Sequence, residues 1–321
     1  MHTALTIAGS DPCSSTGVQA DIRVMTMNGV YPTSVITSLT AMNTSRLYSF
    51  QEMTSEIISA QLDAIFTDIR PDAVKIGWVS SSAVIATIAG KLRQYHAKNI
   101  VLDPVMIASD GQKLLENGAA NTMRNELLPL ATVVTPNCAE AAMLTGFDVR
   151  NEYDMIRAAE RLCYTYPCAC ILKGGHSQKD DASEFTGDDT EPDIVRRLSA
   201  EGTSENSNDL LYMNGSFRWF RGRRIKNQNT RGTGSVFSSA LTANLAKGFP
   251  LTEAVSRAKE YVTDAIASGL DLGSGRGPVN AGFPADGYYT EEPDNADHRD
   301  SQNKSDGFSF SEAGLLSGGV R

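Results

Sequence analysis

The sequence of 321 residues predicts an α/β fold in which a mainly parallel central sheet is flanked by helices on both faces. Three observations predict it. Short apolar runs, most of them with β-branched residues, alternate with longer stretches of helical spacing along the first half of the chain. The runs are apolar throughout, as expected of strands buried on both faces. Polar residues and glycines follow the runs repeatedly, at the sheet edge where open α/β folds bind ligands.

Six apolar runs predict the strands of the sheet. The intervening stretches Thr54–Phe66 and Ser82–Tyr95 place apolar residues at helical spacing and predict helices. The alternation of strand and helix favours parallel pairing of the strands. The predicted strands are Ala4–Ala8, Ser34–Leu39, Ala73–Ile76, Ile100–Leu102, Ala131–Val134 and Cys168–Leu172.

The last third of the chain predicts a hairpin and two helices. Leu210–Met213 and Phe217–Phe220 flank Asn214-Gly215, a dipeptide typical of tight hairpin turns. Residues 235–247 and 251–270 carry apolar side chains at helical spacing, so both ranges are predicted to be helices.

The acidic residues are concentrated in two segments, 177–208 and 282–321. Together these segments hold 17 of the 38 acidic residues and 6 of the 29 basic residues, so the rest of the chain is nearly neutral. A nearly neutral body gives no electrostatic case for nucleic-acid binding. Both segments are poor in apolar residues. We therefore expect one domain over 1–282, with a solvated insertion at 177–208, and a largely disordered tail at 283–321.

The composition favours a cytoplasmic protein. Met1–Ser10 lacks the basic run and apolar stretch of a secretion signal. The longest uncharged stretch, Val24–Ser45, is too polar for a membrane span. Five scattered cysteines favour reduced thiols over disulfides. Cys168 and Cys170 have no matching Cys or His pair, so we expect no zinc site.

The strongest single motif is Asn229–Ser235, of sequence NTRGTGS, which runs into an apolar helix. Gly232 and Gly234, just before the helix, leave backbone N–H groups free, and the helix amino end adds a partial positive charge. These features predict an anion site suited to a transferred phosphoryl group. From the residues alone, a glycine-rich turn before an ordinary helix is the alternative.

A series of short motifs follows the predicted strands and turns. The motifs are Gly9–Pro12, Gly17–Asp21, Ala41–Thr44, Lys75–Gly77, Asp103–Met106, Thr135–Asn137 with Glu140, Lys173–His176, Asn229–Ser235 and Gly277–Asn280. In this order they resemble the hydroxymethylpyrimidine and phosphomethylpyrimidine kinases of thiamine biosynthesis, in the ribokinase-like superfamily. The resemblance covers about 1–282 without the insertion, and it implies a ribokinase-like three-layer fold.

The resemblance implies a site for Mg²⁺ and ATP. Asp103 and Glu140 would help to hold Mg²⁺, for which hard carboxylate oxygens are suitable ligands. Lys173 would meet the phosphates of ATP. Without the resemblance, Glu140 could equally cap a helix start, and Lys173 would be interpreted as a solvated charge. The nucleotide site would be completed by Asn137, Thr233 and Gly234, and the catalytic turn would consist of Gly232, Thr233, Gly234 and Ser235.

The resemblance also implies an acceptor pocket at the same sheet edge. Without it, Met42, Trp78 and Met106 would be interpreted as core residues. The residues implied around the pyrimidine are Gly9, Asp21, Thr40, Met42, Trp78 and Met106.

Several positions depart from the family's usual residues. The family usually has Cys at the position of Ser235. A thiol of pKa about 8.5 can release its proton near neutrality, whereas a serine hydroxyl cannot serve as an equivalent base. Loss of a general base costs roughly 10²- to 10⁴-fold in rate. Phosphoryl transfer depends mostly on positioning and electrostatics, so a slow kinase is still expected. The departures are Ser235 for the usual Cys, Arg231 for His, Ser14 and Ser15 for two glycines, Met42 for Gln and Trp78 for Met.

Together these features predict an ATP- and Mg²⁺-dependent small-molecule kinase acting on hydroxymethylpyrimidine or its monophosphate. A pyridoxal-type vitamer kinase is one alternative. A non-catalytic relative that binds nucleotide or a thiamine precursor is the other. The expected partner is the small-molecule substrate, without nucleic acid or membrane, and a homodimer is left open.

Overall fold

The computed structural model describes residues 1–107, 114–174, 206–283 and 287–293. Within these residues, one sheet contains β1 (Thr3–Ser10), β2 (Tyr31–Met42), β3 (Leu47–Glu52), β4 (Ala73–Ile76), β5 (Ile100–Leu102), β6 (Val133–Val134), β7 (Ala169–Lys173), β8 (Asp209–Met213) and β9 (Ser216–Phe220). Their order across the sheet is β3-β2-β1-β4-β5-β6-β7-β8-β9. Strands β2 through β7 of this order pair in parallel, and β3, β8 and β9 add antiparallel edges.

Helices cover both faces of the sheet. One apolar core lies between the sheet and the helices on one face, and a second core lies between the sheet and the helices on the other face. The predicted three-layer α/β architecture is therefore confirmed. The helices are α1 (Gly17–Met27), α2 (Ser55–Asp68), α3 (Ser82–Gln94), α4 (Ala119–Thr122), α5 (Cys138–Thr145), α6 (Glu152–Thr165), α7 (Thr233–Ala246) and α8 (Leu251–Ala267).

Helix α7 fixes the position of the predicted anion turn. Every residue from Val236 to Ala246 is buried. The helix packs against α1, α8 and the central strands β1, β4 and β5. A helix that is buried on all sides is held by the core along its whole length. Its amino end at Thr233 is therefore held firmly at the carboxyl edge of the sheet.

Strand β3 was not predicted, because its sequence lacks both an apolar run and a clean alternation. Its four central residues are exposed. It pairs antiparallel with the end of β2 after a short turn, in which the Asn43 side-chain oxygen accepts from the N–H groups of Ser45 and Arg46 at 2.9 and 3.0 Å. The predicted hairpin of β8 and β9 is confirmed. Its turn residues Asn214 and Gly215 have φ of 52° and 74°.

The ends of the domain differ from the predicted boundaries. Phe283 and Tyr289 are buried, with ring centroids 6.1 Å apart, so the body continues past 282. Segment 287–293 is held further by Lys247, whose Nζ donates to the Tyr289 carbonyl at 2.7 Å. Aromatic residues in an otherwise polar stretch account for the difference.

The predicted insertion also ends earlier than expected. Asn208 is buried, and Asn206 pairs with Arg223, so 206–208 belong to the body. The remainder of the predicted insertion, and the tail beyond 293, lie outside the described residues.

Two further predictions concern membranes and cysteines. No helix in the described ranges is long and apolar enough to cross a membrane. All five cysteines are free thiols. No group of three or more His, Cys, Asp or Glu side chains suited to a metal ion occurs in the part of the chain that the structure describes.

Candidate active site

A cleft of about 1060 Å³ opens at the carboxyl edge of the sheet. Its walls come from residues that follow the parallel strands and from the amino end of α7. Two of the predicted acceptor residues, Asp21 and Met106, do not line it. The predicted residues that do are Gly9, Thr40, Met42, Trp78, Asp103, Asn137, Glu140, Lys173, Gly232, Thr233, Gly234 and Ser235.

The turn before α7 has glycine at two closely packed positions, and Gly232 is the one that its backbone conformation requires. Gly232 has φ of 90°, and a Cβ on it would stand 1.8 Å from the Ser15 carbonyl oxygen. A Cβ on Gly234 would stand 3.2 Å from Lys173 Nζ, so this residue packs directly against the ammonium group. Thr233 closes the turn by donating its hydroxyl to the Thr230 carbonyl at 2.7 Å. The open N–H groups of such a turn favour a bound anion.

Lys173 and Asp103 form a buried ion pair at the centre of the cleft. Lys173 Nζ lies 3.0 Å from Asp103 Oδ1. Asp103 also accepts hydrogen bonds from Ser238 at 3.0 Å and Thr135 at 3.2 Å. Burial acts to raise the pKa of Asp103, but the charges of Lys173 and Lys75 and these hydrogen bonds hold that pKa below its usual value. Asp103 is therefore a carboxylate, and Lys173 an ammonium group, at neutral pH.

Glu140 both caps a helix and faces this ion pair. Its Oε2 accepts from the Asn137 N–H at 2.9 Å, and Asn137 Oδ1 accepts from the Glu140 N–H at 2.9 Å, so the two residues form a capping box at the start of α5. Burial raises the pKa of Glu140 to about 7; the charge of Lys173 opposes the rise, and that of Asp103 adds to it. The capping interpretation is thus confirmed, and the side chain also lines the cleft.

Asp21 does not face the cleft as expected of an acceptor-binding residue. It is fully buried and forms an ion pair with Lys75 beneath the cleft floor. Its oxygens also accept from Thr6 at 2.6 Å and Ser239 at 2.8 Å, so its hydrogen-bonding capacity is used inside the protein. Lys75, to which the sequence assigned no separate role, lines the cleft instead.

Met106 belongs to the apolar core rather than to the acceptor pocket. It is fully buried and packs in the core beneath α2 and α3. The interpretation of Met106 as a core residue, which the residues alone favoured, is the one that agrees with the structure.

Trp78 forms an aromatic wall of the cleft. Its Nε1 donates to the Leu114 carbonyl at 3.1 Å, and its ring meets Phe50 edge-on at a centroid distance of 5.3 Å. A Cβ on Gly9 would lie 3.2 Å from the indole ring, so glycine allows the close approach of β1 to Trp78. Thr40 donates to the Ser10 carbonyl at 2.8 Å and joins β2 to the same wall.

The loop after β1 supports the anion turn. Asp11 is buried, and its Oδ2 accepts from both the N–H and the hydroxyl of Ser15 and of Thr16. Ser14 has φ of 56°, the left-handed conformation that favours glycine, in agreement with the family's glycine at this position. The loop thus keeps the Ser15 carbonyl against Gly232 although both usual glycines are replaced.

Arg231 lies between the anion turn and the acceptor wall. Its Nη1 donates to the carbonyls of Asn43 and Thr44 at 3.3 and 3.4 Å, and its Nη2 lies 4.0 Å from Met42 Sδ. The guanidinium therefore closes the acceptor end of the cleft beside Met42.

The match of this chain to a family of known proteins is extensive. A model of the family described as phosphomethylpyrimidine kinase matches residues 11–280. The chain belongs to the phosphomethylpyrimidine kinase family. The hydroxymethylpyrimidine/phosphomethylpyrimidine kinase of Rhizobium meliloti (strain 1021) is 43% identical over 280 residues, which are 86% of this chain and 96% of that relative.

Solved structures agree with the membership in the phosphomethylpyrimidine kinase family. The phosphomethylpyrimidine kinase of Clostridium difficile 630 has a TM-score of 0.68 and 35% identity, covering 83% of this chain and all of that one. An ADP complex of Bacillus subtilis pyridoxal kinase has a TM-score of 0.75 and 32% identity, covering 88% and 97%. The fold is ribokinase-like, as predicted, and the chain is a small-molecule kinase.

One part of this phosphomethylpyrimidine kinase cleft was not predicted. Arg223, Arg224 and Lys226, in the loop after β9, line the cleft together with Ile266 of α8. The signal was present in the sequence as the run RGRRIK, which contains four basic residues and no acidic one. This run matches none of the motifs that carry the family resemblance, so the resemblance did not predict its place in the cleft.

Proposed function

We propose that this chain transfers the γ-phosphoryl group of ATP to hydroxymethylpyrimidine or its monophosphate in cytoplasmic thiamine biosynthesis. The observation that carries the proposal is the contact between the glycine turn and Lys173 in a cleft with an aromatic wall. A Cβ on Gly234 would stand 3.2 Å from Lys173 Nζ. A turn of free N–H groups beside a fixed ammonium group stabilises the negative charge that develops on a transferred phosphoryl group.

The donor nucleotide would lie between the glycine turn and the loop after β9. Lys173 would contact its phosphates, with Asn137, Thr233 and Gly234 beside them. Mg²⁺ would be held by Asp103 and Glu140, whose two carboxyl groups suit an ion that keeps several waters and the phosphates as further ligands. The ion would neutralise charge on the phosphates. The positive charge of Lys173 keeps Asp103 in the ionised form that a metal ion requires.

The acceptor ring would lie against Trp78, because a flat aromatic wall stacks with a pyrimidine or pyridine. Ser235 lines the cleft at the amino end of α7, where the reacting group of the acceptor would lie. Its hydroxyl does not ionise near neutrality, so we expect slow transfer to an alcohol. The site therefore relies on positioning and on the anion turn rather than on a strong base.

A pyridoxal-type acceptor is the second candidate. The fold similarity to a pyridoxal kinase supports it. So does Met42, whose thioether places an apolar surface where an amide would bond the polar edge of an aminopyrimidine. An apolar wall discriminates weakly between rings of similar shape.

The test is a phosphoryl-transfer assay of the full chain with MgATP against hydroxymethylpyrimidine, its monophosphate and pyridoxal. We expect product from a pyrimidine acceptor, detected by mass spectrometry, and loss of product in Asp103→Asn. Product from pyridoxal alone would favour the second candidate. Nucleotide binding without product on any acceptor would identify a non-catalytic relative.

A further inference from the structure

The acceptor end of the cleft is rich in arginine. Arg46, Arg231 and Arg276 all line it. Arg46 stacks over the Tyr48 ring at 4.4 Å, and Arg276 donates to the Thr230 hydroxyl, one residue before Arg231. Arg231 is the guanidinium that lies beside Met42, with Nη2 4.0 Å from Met42 Sδ, and Arg46 and Arg276 line the same cleft.

Within the described residues, the protein places no carboxylate against these arginines to neutralise their charge. In the described residues, none of the three lies within salt-bridge distance of a carboxylate. Asp11, the acidic residue that lines this end, is 2% exposed, and its Oδ2 is taken up by Ser15 and Thr16. Arg231 uses Nη1 for two backbone carbonyls. A guanidinium has five N–H donors in a planar fork, so Arg231 retains donors for a bidentate anion.

The residue at the catalytic position fits an anionic acceptor for a second reason. An alcohol must lose its proton during transfer, and Ser235 cannot take it as a thiolate would. A phosphate monoester, with a second pKa of about 6, is already deprotonated at neutral pH and needs no base.

We infer that this site selects a phosphorylated acceptor over the free alcohol, with Arg231 holding the acceptor phosphate and Arg46 and Arg276 adding to its attraction. This inference rests on the proposed function. In the reaction, an acceptor phosphate oxygen forms a bond to the γ-phosphorus of ATP. The bond from that phosphorus to the β,γ-bridging oxygen breaks, and its electron pair leaves with ADP. The acceptor monophosphate gains one phosphoryl group and becomes a diphosphate, and no proton is released.

The experiment compares hydroxymethylpyrimidine with its monophosphate in the wild-type chain and in Arg231→Gln. We expect a higher kcat/KM for the monophosphate in the wild type. In the variant this preference falls about 10-fold or more, as expected for loss of a hydrogen bond between charged groups. The matched control is Arg93→Gln, an exposed arginine of α3 paired with Glu126 outside the cleft, which leaves the preference unchanged.

Calorimetry of both compounds without ATP separates this inference from the proposed function. Tighter binding of the monophosphate that is lost in Arg231→Gln supports the inference even if no transfer occurs, in which case only the proposed function fails. Equal binding and equal kcat/KM for the two acceptors, or an unchanged preference in a folded Arg231→Gln, overturns the inference and leaves any observed kinase activity standing.

Ser235→Cys provides a second variant. It restores a thiol at the catalytic position, so it should raise turnover on the alcohol more than on the monophosphate, by about 10-fold or more in the ratio. An equal gain on both acceptors would contradict the argument that the monophosphate needs no base.

Discussion

At the scale of single residues, the anion turn depends on the absence of a side chain at Gly232 and Gly234. A Cβ on Gly232 would stand 1.8 Å from the Ser15 carbonyl oxygen, which no side chain allows, and a Cβ on Gly234 would stand 3.2 Å from Lys173 Nζ, which would have to move. The turn can therefore bring backbone N–H groups and a cation to the same point. Preorganised donors of this kind account for a large share of rate enhancement in phosphoryl transfer.

Gly234→Ala tests this arrangement. The added methyl group would push Lys173 away and fill part of the phosphate site, so we expect kcat to fall about 100-fold. The control is Gly90→Ala in α3, where a Cβ meets nothing within 4 Å. Steady-state kinetics of both variants make the comparison. Equal activity of the two would mean that the turn does not contact the transferred group.

Glu140 carries a stability cost that depends on pH. Burial raises its pKa to about 7 from 4.5, so the folded chain binds this proton more tightly than the unfolded chain. Below pH 4.5, Glu140 is protonated in both the folded and the unfolded chain, and the free energy of unfolding is at its highest. As pH rises from about 4.5 to about 7, the unfolded chain releases this proton first, so the free energy of unfolding declines. It stays low above pH 7, because the folded chain must then hold a buried carboxylate.

Glu140→Gln should therefore be more stable relative to the wild type at pH 8 than at pH 5, by on the order of 2 kcal/mol without Mg²⁺. Glutamine still accepts the capping hydrogen bond from Asn137. Chemical denaturation of both proteins at the two pH values measures the difference. The same variant should lose Mg²⁺-dependent nucleotide binding. A pH-independent difference in stability would show that the carboxyl is not buried in the ionised form.

At the scale of elements, segment 287–293 acts as a brace across the helices on one face. Tyr289 is buried against Tyr261 of α8 at a centroid distance of 5.0 Å. Arg257 of α8 lies over the Tyr288 ring at 4.0 Å and donates to the Tyr288 carbonyl. The segment thus covers two cationic side chains, Lys247 and Arg257, that would otherwise be buried with fewer partners.

Tyr289→Ala tests the brace. Removing a buried aromatic ring should lower the free energy of unfolding by about 3 kcal/mol. Tyr164→Ala in α6 is the control, because that ring is 91% exposed and its loss should change stability by less than about 0.5 kcal/mol. Urea denaturation of each variant gives the values. A chain ending at 293 should match the wild type, whereas one ending at 283 should resemble Tyr289→Ala.

At the scale of the whole molecule, the sequence predicted the parallel sheet and the contents of the cleft but not where every side chain points. Ala73–Ile76 and Ile100–Leu102 coincide with β4 and β5 because buried strands leave a plain apolar signal. β3 was missed because it is exposed on both faces. Asp21 belongs to a family motif, yet its side chain is buried, where it forms an ion pair with the buried Lys75. Such pairings depend on tertiary contacts and leave no local signal.

The contact between the first loop and the amino end of α7 has a consequence for synthesis of the chain. The Ser15 carbonyl lies against Gly232, and Asp21 accepts from Ser239, 218 positions away. On the ribosome, Trp78, Asp103 and Glu140 emerge long before the glycine turn that completes the phosphate site. Contacts so distant in sequence form late in folding. A nascent chain therefore lacks both the glycine turn and the Arg231 side chain that closes the acceptor end, and the cleft is complete only once nearly the whole domain has been made.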